Sequence, residues 1–188
     1  MFRSHHVGRV ASRAVAVLML TCACIGSALA VAQQTDFTLA RGRVGALNIA
    51  MTVDDVTAMF GDARIKRVDL HLEGMPTPAL EIRLDRLTAA RPSLTAEVLP
   101  SLNRIWRVRV FDRRFRTSAG LGVGSTLPDI QAHHHVEVLI GEGNMVAHVS
   151  ELLMSFDFGS RWYSSTRLPA TARVQSVLVA LPPGQFPR

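Results

Sequence analysis

The sequence has little cysteine, lysine and aromatic content, and each shortage excludes a class of protein. The 188-residue chain contains two cysteines, Cys22 and Cys24, and both lie in an apolar run near its start. The rest of the chain therefore has no disulfide framework and no cysteine nucleophile, and the stability of the domain must come from its hydrophobic core alone. Lys66 is the only lysine, and aromatic residues are 6% of the sequence. Nucleic-acid surfaces need clustered basic and aromatic side chains, so we expect no nucleic-acid partner.

A long hydrophobic run is also missing. The apolar run covers residues 14–25, which is well short of the roughly 20 residues that span a membrane. Three arginines and no acid precede it, and Ala28-Leu-Ala30 follows in the form that signal peptidase cleaves. The pattern predicts a signal peptide over residues 1–30, with cleavage after Ala32 as the alternative and an uncleaved anchor as the competing interpretation.

Removal of this leader places the mature chain in the periplasm or outside the cell, with no transmembrane span. It also takes away three of the six net positive charges and leaves a formal charge of +3. A lipid anchor is not expected, because Thr21 stands where lipoprotein signals carry a leucine before Cys24.

The stretch from Thr52 to Gly61 predicts one short helix. Thr52 and Asp55 have the spacing of a capping box, and Gly61 suits the residue that ends a helix. The apolar side chains between them fall on one helical face, which we expect to pack on a sheet: Val53, Val56, Met59 and Phe60.

Alternating apolar and polar residues predict strands along the rest of the chain. The predicted strands cover residues 65–72, 79–84, 105–111, 136–140, 146–158 (one strand, or two with a bulge) and 174–181. Nine apolar residues of the first three strands are expected to face the core: Val68, Leu70, Leu72, Leu80, Ile82, Leu84, Trp106, Val108 and Val110. In the fourth strand, Val136, Val138 and Ile140 alternate with His135, Glu137 and Leu139. Residues 73–78 predict a turn with two prolines, and residues 94–102 a short helical or irregular excursion.

The second half of the sequence repeats the first. Thr126 and Asp129 follow Thr52 and Asp55 at a constant offset of 74, and Glu142-Gly143 follows Glu73-Gly74 at an offset of 69. We therefore predict an α+β fold of two fused units, each a short helix on an antiparallel sheet. An extended lead-in covers residues 31–41, the units cover 42–112 and 117–181, and a loose tail covers 182–188. The alternative is one domain with two generic helix-then-hairpin stretches.

The segment Ala50-Met-Thr-Val-Asp-Asp-Val-Thr-Ala-Met-Phe-Gly61 resembles the helix of the BamE/SmpA/OmlA-like exported modules. Their pattern is Gly-Met-Thr-x-x-x-Val-x-x-x-[Leu/Phe]-Gly, and Ala50 stands where the family has its first glycine. The tandem arrangement resembles the architecture of the β-lactamase inhibitor protein. The resemblance implies a non-enzymatic scaffold or binding module of the cell envelope, without a cofactor.

The sheet face opposite the helix is the candidate binding surface, because a helix covers only one face of a sheet. Its predicted charged residues are rich in arginine, a residue enriched at interfaces: Arg67, Asp69, His71, Glu81, Arg83, Arg107 and Arg109. Trp162 and Tyr163 are candidate aromatic anchors in the second half. We expect an envelope protein as partner; a merely solvated face is the alternative.

Two other functions stay open. The first is a periplasmic protein that binds a metal or a small molecule through residues 133–137. In that case His133, His135 and Glu137 are the candidate ligands of zinc or copper. A hydrolase is the third hypothesis, although no Gly-x-Ser-x-Gly motif occurs and no catalytic residue stands out.

The leader gives the first testable prediction. When the whole chain is produced in a Gram-negative host, the periplasmic product should begin at Val31 or, with the alternative site, at Gln33. Intact mass and N-terminal sequencing measure this directly. A membrane-bound product that still begins at Met1 would contradict cleavage.

Overall fold

The chain folds around one eight-stranded antiparallel sheet, which the computed structural model describes with its flanking helices. The described residues are 36–72, 74–85, 90–141, 143–162, 168–181 and 183–185. The predicted leader, residues 1–30, lies outside them, as does most of the predicted tail. A small antiparallel sheet comes first, formed by β1 (Leu39–Ala40), β2 (Arg43–Val44) and β3 (Leu47–Asn48).

Two similar runs of elements follow. The first run is α1 (Val53–Phe60), β4 (Ile65–Leu72), β5 (Met75–Ile82), β6 (Leu94–Leu99) and β7 (Arg104–Val110). The second run is α2 (Leu127–Gln131), β8 (Glu137–Gly141), β9 (Asn144–Val149), β10 (Met154–Asp157) and β11 (Ser176–Ala180). Short 3-10 helices cover Asp62–Arg64, Ser160–Trp162 and Pro183–Gln185. The α+β class with antiparallel sheets is therefore confirmed.

The strand order in the large sheet is β4-β5-β6-β7-β11-β10-β9-β8. Each run forms a meander, and the last strands of the two meanders, β7 and β11, pair in the middle. Val110 lies opposite Val177, and Val108 lies opposite Val179. The described residues, from 36 onward, form one compact unit. Among the described residues, no helix is long and apolar enough to cross a membrane.

One face of the sheet is the core. Residues that lie opposite each other on neighbouring strands point to the same side, and one such set is buried from β5 across to β9. We name this side the core face; its residues are Leu80, Ile82, Leu94, Ala96, Val108, Val110, Val177, Val179, Met154, Phe156, Ala147 and Val149. Val53 and Val56 of α1 and Ile130 of α2 belong to the same apolar cluster.

The predicted capping boxes are present at both helices. The Thr52 hydroxyl accepts a hydrogen bond from the Asp55 N–H at 3.1 Å, and the Thr52 N–H donates to the Asp55 carboxylate at 3.0 Å. Thr126 and Asp129 make the same pair of bonds at 3.3 and 2.8 Å. Hydrogen bonds from these threonines lower the pKa of both aspartates. Their local spacing was enough to predict both helix starts.

Several strand predictions were wrong in detail. Residues 94–99 form the strand β6, where a short helical or irregular segment was predicted. Five of its six side chains are buried, so both faces of the strand are covered. Its sequence therefore lacks the alternation of apolar and polar residues by which a half-buried strand is recognised. The region 146–158 is two strands, β9 and β10. β5 begins at Met75, where a turn was predicted. Its first half pairs only with β4, so Pro76 and Pro78 cost no hydrogen bond on the other side.

Ala50 and Gly124 occupy equivalent positions before the two helices. Both have a positive φ, 75° for Ala50 and 97° for Gly124. The Ala50 N–H donates to the Ile105 carbonyl at 2.7 Å, and the Gly124 N–H donates to the Val174 carbonyl at 2.8 Å. The position before each helix is therefore one where L-residues are strained, and Ala50 adopts this conformation although it is not a glycine.

Gly124→Ala should destabilise the fold by about 1–2 kcal/mol, because a methyl group is unfavourable at this φ. The new Cβ would meet no atom within 4 Å, so the effect is one of backbone conformation alone. Urea unfolding measures it. Gly184→Ala is the control, since Gly184 also has open space but no positive φ; equal stability of the two variants would contradict the argument.

Candidate functional site

The sheet side opposite the core carries polar and charged residues from β4 across to β8. Glu97 lies opposite Arg107, and Thr95 lies opposite Arg109. On β11, Leu178 lies opposite Arg109. We name this side the polar face; its polar members are Lys66, Glu81, Thr95, Glu97, Arg107, Arg109, Ser155, Asp157, Ser176, His148, Asn144 and Glu137.

Arg107 and Glu97 form a buried ion pair on this face. The Arg107 Nε donates to the Glu97 carboxylate at 2.5 Å, and Glu97 is 1% exposed. The Arg107 guanidinium also lies 4.3 Å from the centre of the Trp106 ring. A carboxylate this deeply buried needs a positive partner to stay charged. The pair therefore holds the centre of the first meander together.

Asp157 is the polar centre of the second meander. One of its oxygens accepts hydrogen bonds from Arg109 at 3.0 Å, Asn144 at 3.0 Å and Ser176 at 3.2 Å. Its other oxygen accepts from the Gly159 N–H at 2.6 Å. Since Arg109 belongs to β7 and Asp157 to β10, this network spans β11 and ties the two meanders together.

The predicted arginine-rich surface is only partly correct. Glu81, Arg107 and Arg109 share the polar face, and Arg83 adjoins it through a 3.3 Å contact with Glu81. Arg67, Asp69 and His71 of β4 were also predicted on this surface, and this was wrong. Arg67 lies opposite Leu80, a residue of the core face, so these three alternate residues lie on the core side of the sheet. The pairing of Leu72 with Met75 sets this register. As β4 is the edge strand, these three side chains still reach solvent.

The aromatic candidates cannot be placed as side chains. Trp162 ends the 3-10 helix Ser160–Trp162, and its side chain lies outside the described set. Tyr163 lies outside the described residues altogether.

The histidine segment does not form the predicted three-ligand set. The rings of His133 and His134 are 6.4 Å apart, and the His134 Nδ1 contacts the Glu151 carboxylate. Within the described ranges, no three His, Cys, Asp or Glu side chains are close enough to hold a metal ion. His135 and Glu137 do line one cavity of about 490 Å³, which they share with His148 and Glu151. His133 does not line it.

Ser155 and His148 form a nucleophile-and-base pair that the sequence did not mark. The Ser155 Oγ is 3.1 Å from the His148 Nδ1. A catalytic pair also needs a third group that orients the base. Across the described part of the chain, no carboxylate hydrogen-bonds to His148, so the geometry is that of a cross-strand polar contact.

The end strand β8 carries three exposed, consecutive apolar residues. Val138 is 44% exposed, Leu139 37% and Ile140 54%. Val138 and Ile140 were predicted to share one side of their strand, and both lie on the core side, opposite Ala147 and Met145. They are nevertheless exposed, because β8 is the end strand and the five-residue α2 has only one buried residue, Ile130. Three successive apolar residues in a strand were the signal that sequence reasoning missed.

Comparisons with known proteins give a fold and no function. No family model matches the chain, and no curated protein matches it. One similar solved structure is the crystal structure of the uncharacterized protein yfeY from Escherichia coli. It has 14% sequence identity, a TM-score of 0.50, and the match covers 78% of this chain and 100% of that one. At this identity the likeness concerns the fold alone.

Glu97→Gln should destabilise the protein by about 3 kcal/mol, since it removes the charge partner of a buried arginine. Glu81→Gln is the matched control. Glu81 lies on the same face beside Arg83, but 22% of its side chain is exposed, so the loss should stay under about 1 kcal/mol. Urea unfolding at pH 7 compares the two; similar losses would refute the distinction.

Proposed function

We propose that this chain is an exported, non-enzymatic binding protein of the cell envelope that meets a protein partner along its large sheet. The observation that carries the proposal is the apolar outer edge of β8. No described strand pairs with that edge, and three of its five side chains are large, apolar and exposed. An edge of this kind accepts an extended segment of another chain as an additional strand.

The opposite edge of the sheet supports this assignment by contrast. β4 carries Lys66, Arg67, Asp69 and His71, which are exposed. Charged side chains on an edge strand oppose pairing with another chain. The protein therefore protects one edge and leaves the other open.

The ion pairs of the polar face are better explained as contacts between strands of the sheet than as a surface that binds a partner. Arg107 and Arg109 are engaged by Glu97 and Asp157, so much of their charge is balanced inside the sheet. A partner that bound through these two arginines would have to displace buried ion pairs, which is costly. We therefore place the partner at the edge of β8 and not on the arginines of the sheet face.

We further propose that residues 42–112 and 117–181 are two fused copies of one unit. The mirrored strand order around β7 and β11 supports this. Equivalent contacts occur in both halves: the Arg104 side chain donates to the Ala50 carbonyl at 2.6 Å, and the Arg173 side chain donates to the Gly124 carbonyl at 2.9 Å. Ala50 and Gly124 are 74 residues apart, and Arg104 and Arg173 are 69 residues apart. These are the two offsets that the sequence repeat predicts.

The double variant Val138→Lys/Ile140→Lys should lose capture of the partner, because two positive charges oppose strand addition at this edge. Tagged mature protein, wild type or variant, is crosslinked in envelope extracts, and the amount of each captured protein is compared between the two. We expect the variant to capture the partner at least tenfold less, which corresponds to about 1.4 kcal/mol of binding free energy. Protection of the β8 amides from hydrogen exchange in the purified complex identifies the contact surface.

Leu102→Lys is the matched control. Leu102 is 51% exposed and apolar like the edge residues, but it lies in the turn between β6 and β7. Capture should survive in this variant. Undiminished capture by the edge variant, or equal loss in the control, would reject β8 as the binding edge.

A further inference from the structure

A cleft lined by four arginines lies near the end of the paired strands β7 and β11. Its volume is about 580 Å³. Four separate parts of the chain supply the arginines: Arg91 precedes β6, Arg113 follows β7, Arg161 lies in a 3-10 helix, and Arg173 precedes β11. All four are exposed.

Among the described residues, none of those that line this cleft is acidic. The neighbouring Asp112 is engaged elsewhere: burial alone would raise its pKa, but hydrogen bonds from Arg114 outweigh that effect and hold the pKa below the usual value. Arg113 forms no hydrogen bond or ion pair within the part of the chain that the structure describes. Arg173 lies close enough to Asp129 to contribute to lowering the pKa of that carboxyl, after the larger effect of Thr126.

Part of the cleft lining is apolar. Val123, Ala172 and Val174 line the cleft and are themselves buried. The Arg91 guanidinium lies over the Phe111 ring, 4.9 Å from the ring centre, in a cation–π contact. A cleft of several hundred Å³ has the size of a small-molecule site.

We propose that this cleft binds a phosphate-bearing organic anion, with a diphosphate or two phosphates held by the arginines and an apolar portion against the apolar lining residues. Guanidinium groups bind phosphate through paired, charge-assisted hydrogen bonds. Each phosphate monoester carries about −1.5 to −2 charge at neutral pH, which is of opposite sign to the arginine-rich lining of the cleft. Like charges gathered around one cleft also raise the local concentration of anions. The site is distinct from the edge of β8 and does not depend on the proposed protein partner.

The phosphates can belong to a soluble compound or to a lipid headgroup, and two probes distinguish these sources. Isothermal titration of inorganic pyrophosphate into the mature protein tests the soluble source. Cosedimentation with phosphatidylcholine vesicles, with and without phosphatidylglycerol, tests the lipid source. We expect binding to at least one anionic probe, and Arg91→Gln/Arg113→Gln should weaken it about tenfold or more.

Arg41→Gln/Arg67→Gln is the control variant, since both arginines are exposed and neither lines the cleft. Its affinity should stay within about twofold of wild type, because neither side chain lines the cleft that holds the ligand. Binding of pyrophosphate alone supports a soluble ligand, and binding of anionic vesicles alone supports a headgroup. Absence of binding to both probes, or an equal loss in the control, overturns the proposal.

Discussion

The pairing of β7 with β11 is the constraint on which the rest of the structure depends. It joins two meanders into one sheet, and it sets Val108 and Val110 opposite Val179 and Val177 on the core face. Because side chains alternate along a strand, the same register places Arg107 and Arg109 on the opposite side. Arg109 then reaches Asp157 across β11. A shift of one residue in this pairing would bury two arginines in the core.

The two sides of the sheet have different chemistry for the same reason. The core face gains stability from apolar burial, which has no directional requirement. The polar face contains Glu97 and Asp157, which are almost fully buried and depend on ion pairs and hydrogen bonds of defined geometry. The two proposed binding sites, the outer edge of β8 and the arginine cleft, include neither of these buried carboxylates.

Local chemistry predicted some elements well. Thr52 with Asp55, and Thr126 with Asp129, are contacts over three residues, so the sequence alone identifies both helix starts. β4 was predicted with its observed bounds because its apolar and polar residues alternate. β6 was missed because a strand covered on both faces shows no alternation. The sequence also predicts the leader and the repeat, which are properties of order and spacing.

What only the tertiary structure decided is which face and which edge each side chain occupies. The alternation in β4 separated Arg67 from Val68, but the pairing with β5 decided which of them lies on the core side. Val138 and Ile140 have the pattern of core residues and are exposed because β8 ends the sheet. Arg91, Arg113, Arg161 and Arg173 meet at one cleft although they are far apart in the chain. The physical reason is that periodicity describes a segment by itself, whereas burial and proximity depend on which segments lie beside it.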